Sequence, residues 1–193
     1  MNTDPVFYCQ LDYDNVPYPS PANGFGTIAN NGCGVCAVSM VAENMLGVRF
    51  PPEEAVGFAL ESGARVDVGT NLYILSEAFA KKFSIRLFVT EDGEQALKFL
   101  NERRGMVIAN VRGNRPEDGH IGVFSDGGHY IVLTGVDGRR VHVLDPMYRP
   151  GRFDVPGRIG KVHMDGCVAT ADMSVVEKDC YERPYFLFEK PER

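Results

Sequence analysis

Three features of the sequence predict an α+β fold. Residues 33–46 form a proline-free, almost wholly apolar stretch suited to a buried central helix; the helical patterns gather in the first half; and a strong β-hairpin pattern lies late, at 129–146. The 193 residues suffice for one domain, 1–193, with a substantial core, and no repeat, low-complexity segment or linker divides them. The expected arrangement is a central N-terminal helix packed on an antiparallel β-sheet.

The elements are predicted in order as follows. Residues 1–32 read as a loop segment wrapping the core, because Pro17, Pro19, Pro21, Gly24, Gly26 and Gly32 break any periodicity after position 11. The central helix runs from Cys33 to Leu46, apolar nearly all round until Glu43 and Asn44, and Gly47 stops it. A second helix spans Pro52 to Glu61, opening on proline and two glutamates. A third takes Thr70 as N-cap and aligns Leu72, Leu75, Ala78 and Phe79, and a fourth fits "EDGEQALKFLNERR". Strands are expected at 85–89, 106–111, on both sides of Asp137-Gly138, and more weakly at 160–164 and 185–188. The segment 151–193 carries the weakest pattern.

Composition narrows the setting. The 44% hydrophobic and 24% charged content is that of a globular protein and excludes a disordered chain or a fibre. A net charge of −6 with scattered basic residues argues against nucleic acid as a partner. No run approaches a membrane span, and the acidic N-terminus lacks an apolar signal core, so the expected location is the cytoplasm, or outside the cell if a leader has been removed. Oligomeric state is not legible.

The chemistry concentrates at "NNGCGVCA". A thiol attacks as thiolate, and a helix N-terminus favours that anion through its free N–H groups and positive dipole end, which is where Cys33 is expected. Gly32 and Gly34 leave room for a substrate carbonyl to approach backbone amides that can receive an oxyanion. A base is then required, and of His120, His129, His142 and His163 the best placed is His129, which follows Gly127-Gly128 and opens a strand. Gly128 accordingly counts as a candidate substrate contact. A three-residue turn, Val136-Asp137-Gly138, sets His129 opposite Asp145 on one face, whereas a two-residue Asp137-Gly138 turn without a compensating bulge sends them to opposite faces.

"NNGCGVCAVSMV", "GTNLYILSEAFAKKF", "MVIANV" and "GGHYIVLTGVDGRRVHVLDP", in that order over residues 6–150, resemble the papain-like cysteine peptidases related to the bacterial double-glycine bacteriocin-leader peptidases. The resemblance implies a papain-like fold, Cys33 as nucleophile, His129 as base, Asp145 as its orienting partner and Gln10 as an oxyanion donor. It also implies a peptide or amide substrate and no metal or organic cofactor. The separation of Gln10 from Cys33 is long, and Gln95 lies in the predicted fourth helix. Cys36 departs from relatives that carry a small or hydroxyl residue there.

Other readings stay open on the residues alone. Cys33 and Cys36 form a CxxC at a helix start, as in thiol–disulfide proteins, although the strand expected before such a motif is missing. A zinc site would need two further ligands, and no second CxxC or HxxxH supplies them. The same triad would serve an amidase or an acyltransferase, and a binding domain without turnover is a further class. Cys36 otherwise reads as a buried small hydrophobe. His120 and Asp126 read as solvent-exposed loop residues. Cys9, Cys167 and Cys180 read as structural or incidental, the last two pairing only if distance permits.

Overall fold

The computed structural model describes residues 4–191. The N-terminal segment makes a 3₁₀ turn at Gln10–Asp12 and a short helix α1 at Ile28–Asn31, both inside the region expected to be loop. Gly32 joins α1 to the central helix α2, Cys33–Val41, whose last turn widens into a π-helical turn over Ala42–Leu46 before Gly47 ends it at φ 67°. Every residue of α2 except Cys33 is buried, which is why its sequence is apolar on all sides.

The two polar exceptions at the end of that stretch hold the N-terminal segment in place. Asn44 accepts from Val6 N–H and donates to Val6 O, both at 2.8 Å, while Glu43 accepts from Tyr8 Oη at 2.6 Å. Gln10 follows two residues later and is further fixed by its N–H donating to Pro146 O at 2.7 Å.

Helices α3 (Pro52–Glu61), α4 (Leu72–Phe83) and α5 (Gly93–Asn101) follow expectation, with one correction: the N-cap of α4 is Asn71, whose side chain accepts from Tyr73 and Ile74 N–H. Thr70 instead ends a small hairpin, β1 (Arg65–Val66) and β2 (Gly69–Thr70), that the sequence did not announce.

The main sheet contains β3 (Arg86–Thr90), β4 (Gly105–Val111), β5 (His129–Asp137), β6 (Arg140–Leu144), β7 (Val162–Asp165), β8 (Val168–Asp172) and β9 (Tyr185–Glu189). Its spatial order is β3-β9-β4-β5-β6-β8-β7, antiparallel throughout. Helix α6 (Met173–Asp179) connects β8 to the segment before β9.

Helices cover both faces. Met106, Ile108, Val132, Leu144, Phe186 and Phe188 pack with α2, α3 and α4, whereas Val107, Ala109, Ile131, Leu133, Val143 and Leu187 pack with α5 and α6. This alternation explains the continuous apolar runs of β4 and β9, since a strand buried on both faces has no polar face to show.

The β5–β6 turn differs from the expected three-residue form. Asp137 pairs with Arg140, leaving Gly138-Arg139 as a two-residue turn with Gly138 at φ 62°, and a bulge falls between Leu133 and Gly135. The bulge restores the parity that a plain two-residue turn would have lost. Continuing the Val132–Leu144 pairing by one residue sets Asp145 opposite Ile131, so Asp145 and His129 are diagonal neighbours on one face rather than directly opposed.

Candidate active site

Cys33 is the first residue of α2 and the only part-exposed one, at the mouth of a cleft of about 300 Å³. Its floor and walls include Gln10, His129, Tyr130, Thr70, Asn110 and Arg183. The room inferred beside the two flanking glycines is corrected: a Cβ on Gly34 would meet Thr70 Cβ at 2.8 Å, and one on Gly32 would meet Ile28 Cγ2 at 2.4 Å. These glycines let α2 start against β2 and α1, so their missing side chains serve packing. Gly128 does line the cleft, and nothing lies within 4 Å of its Cβ position.

His129 opens β5 opposite Val111 of β4 and is 3% exposed. Its Nε2 donates to Asp145 Oδ1 at 2.7 Å, which leaves Nδ1 uncommitted in the cleft that His129 and Cys33 both line. Burial alone would disfavour the imidazolium. The Asp145 carboxylate outweighs it, and with the contribution of Cys33 the imidazole is pushed up to about 9. Asp145 is 1% exposed, and burial would favour its neutral form; His129, then Arg152, then Met147 N–H hold the carboxyl below its usual range.

Those last two partners were not foreseen. Met147 N–H donates to Asp145 Oδ1 at 2.8 Å, and Arg152 Nε donates to Asp145 Oδ2 at 2.8 Å. Arg152 Nη2 also donates to Phe124 O. Both carboxylate oxygens are thus engaged, and the loop before His129 is tied to the same guanidinium. Nothing in "MYRPGRFD" distinguishes Arg152 from a solvated loop arginine, so only the folded chain reveals it.

Gln10 is 3% exposed and reaches the cleft. Its Nε2 donates to Ala29 O at 2.8 Å, so one amide proton is committed and a second is left; its Oε1 is buried without a partner. Gln95 caps nothing at this site, being bonded to Asp92 at the start of α5.

The remaining cysteines stand apart from this arrangement. All five are free thiols, and Cys36 is fully buried, with burial and then the neighbouring Cys33 raising its thiol far above the ordinary range. Cys167 packs with the α2 face of the sheet and Cys180 with the α5 face, so they do not pair. His120, expected to be exposed, is mostly buried and bonds Asp179 at 2.8 Å, whereas Asp126 is exposed and pairs with Arg158. No cluster of three or more His, Cys, Asp or Glu suited to a metal ion occurs among the described residues. No helix among them is long and apolar enough to cross a membrane.

Solved structures share the arrangement of a central helix packed on an antiparallel sheet. The chain is similar to a C39-like peptidase from Bacillus anthracis, with TM-score 0.59, 14% identity, and 98% of this chain and 96% of that one covered. It is also similar to the peptidase domain of Streptococcus ComA, a bifunctional ABC transporter involved in quorum sensing, with TM-score 0.54, 15% identity, and 82% and 91% covered. The fold is therefore that of C39-like peptidase domains. No protein-family model and no curated relative matches the sequence.

Proposed function

We propose that the protein is a cysteine peptidase or amide hydrolase that works through Cys33, His129 and Asp145. The observation that carries this reading is that Cys33, the one residue of α2 to line the cleft, shares it with the His129 ring, which is bonded in turn to Asp145. His129 accepts the thiol proton at Nδ1, and the Sγ of Cys33 attacks an amide carbonyl. The oxyanion is met by backbone N–H groups at the start of α2 and by the uncommitted amide proton of Gln10. The imidazolium then protonates the leaving amine, and water, deprotonated by the same ring, releases the thioester acyl-enzyme.

Asp145 keeps the ring oriented and its cationic form favoured. The fold similarity supports this class of chemistry. A redox role for the CxxC finds no comparable support, because a resolving thiol must be reached and Cys36 is sealed in the core.

The test is alkylation by iodoacetamide from pH 5 to 9, mapped by mass spectrometry, together with digestion of a peptide mixture. Cys33 should be modified ahead of the other cysteines at pH 6, and peptide cleavage should vanish in Cys33→Ala. Labelling of Cys33 at pH 6 no faster than an unstructured cysteine, unchanged in His129→Ala, would falsify the proposal.

A further inference from the structure

The protein carries net charge −6, yet among the described residues no acidic side chain lines the cleft that Cys33 opens into, and the one lysine or arginine lining it is Arg183. Among the described residues the Arg183 guanidinium has no ion pair and no hydrogen-bond partner. The acids nearest in sequence are engaged elsewhere. Glu182 pairs with Arg112 at 3.5 Å, and Asp179 is buried against His120, Val123 N–H and Phe124 N–H. Asp67, between the cleft residues Val66 and Val68, is exposed outside the cleft lining and accepts from Ser20 Oγ and Ala22 N–H at Oδ1.

Arg183 is exposed at the rim of the cleft, and the backbone next to it is fixed by the sheet. Asn110 N–H donates to Pro184 O at 3.1 Å, and Asn110 pairs with Tyr130, the residue after His129. Arg183 therefore stands two strands away from the His129 end of β5, roughly 10 Å across, a distance an extended peptide covers in about three residues. Between them Asn110 lines the cleft, its carboxamide without a partner among the described residues, and Tyr130 Oη is turned to Thr70 O at 3.2 Å.

From this we infer that Arg183, with Asn110 beside it, selects a peptide substrate bearing an acidic side chain a few residues from the bond attacked by Cys33. The inference rests on the peptidase reading and adds its substrate class. An unpaired guanidinium in a cleft free of acids offers a carboxylate two parallel N–H donors, and an amide next to it offers a third. Elsewhere the protein's negative charge opposes acidic peptides, so the attraction is local to this subsite.

The probes are two families of end-blocked reagents that alkylate Cys33, the Sγ–carbon bond forming as halide leaves. Acetyl-Gly-Glu-Gly-Gly chloromethyl ketone reaches one side of the thiol and iodoacetyl-Gly-Gly-Glu-Gly amide the other, each compared with its Gln counterpart. In one family the Glu reagent should label Cys33 about fivefold faster at low salt, the preference shrinking in high salt. The Glu-to-Gln ratio, taken within each protein so that changes in thiol reactivity cancel, should fall to about one in Arg183→Gln and below one in Arg183→Glu. Selective labelling of Cys33 with equal Glu and Gln rates in both families overturns the acidic subsite alone. Labelling that does not favour Cys33 over the other cysteines overturns the peptidase reading and the subsite together.

Discussion

The protein holds two His–Asp pairs of nearly equal geometry, His129–Asp145 at 2.7 Å and His120–Asp179 at 2.8 Å, and among the described residues it is the first whose histidine shares a cleft with Cys33. Both aspartates are almost inaccessible, at 1% and 0% exposure. They differ in what completes them. Asp179 is saturated by backbone, taking Val123 and Phe124 N–H on one oxygen and His120 with Val123 N–H on the other, and it pins the loop between β4 and β5. Asp145 is saturated by a guanidinium and one N–H, and the ring it holds lines the cleft together with Cys33. A buried His–carboxylate pair is thus a structural device in itself; it becomes chemistry where a nucleophile and a cleft meet the free ring nitrogen.

The widest separation between the pairs is expected in thiol reactivity. In His129→Ala the rate of Cys33 alkylation at pH 6 should fall about 10²–10⁴-fold, the range general-base removal costs. In His120→Ala it should stay within about threefold, because that ring lines a different pocket from the one Cys33 lines. Iodoacetamide kinetics on both variants make the comparison, and a large loss in His120→Ala would merge the two pairs into one functional unit.

The next effect inverts the ranking. Asp179→Ala leaves two buried N–H groups and His120 without their acceptor, and should cost about 3–5 kcal/mol in urea denaturation. Cys33 labelling in the folded fraction should survive, since Asp145, Met147 and Arg152 are untouched. Loss of labelling with no loss of stability would show that the loop held by Asp179 reaches the thiol after all.

How much of this was legible in the sequence depended on the kind of signal. Cys33 could be placed because α2 is buried on every side and carries an unbroken apolar code, and His129 because glycines precede an evident strand. Asp145 required the hairpin register, where the turn residues were misassigned but a bulge at Thr134 preserved the parity. The strand β8 escaped notice because its inward residues are Ala169 and Ala171, too small to write a β pattern, and α6 because seven residues are too few for a helical one. Arg152, Thr70 and Arg183 lay beyond reach for another reason. Each acts through residues distant in the chain, and local patterns do not encode the order β3-β9-β4 or the path of a loop.

The smallest expected effect concerns Arg152, the group that most distinguishes Asp145 from Asp179. Its Nε bonds Asp145 Oδ2 and its Nη2 bonds Phe124 O, so a stability loss in Arg152→Met has two sources with different pH behaviour. The Asp145 carboxyl is held below its usual 3.8 in the folded state, so its contribution is present above that value and lost as pH falls through the folded one. Removing Arg152 lets the folded value climb back, which costs about 1–3 kcal/mol at pH 7 and progressively less toward pH 3. His129, raised from 6.5 to about 9, behaves oppositely: its contribution is present below 6.5 and is lost as pH rises through 9. That alkaline decline should persist in the variant because Asp145 remains. Urea midpoints from pH 3 to 10 separate the sources. A wild-type-minus-variant gap that closes on the acid side assigns Arg152 to the carboxylate, whereas a gap constant with pH assigns it to the Phe124 carbonyl and makes this pair, like the other, mainly a clamp on the loop.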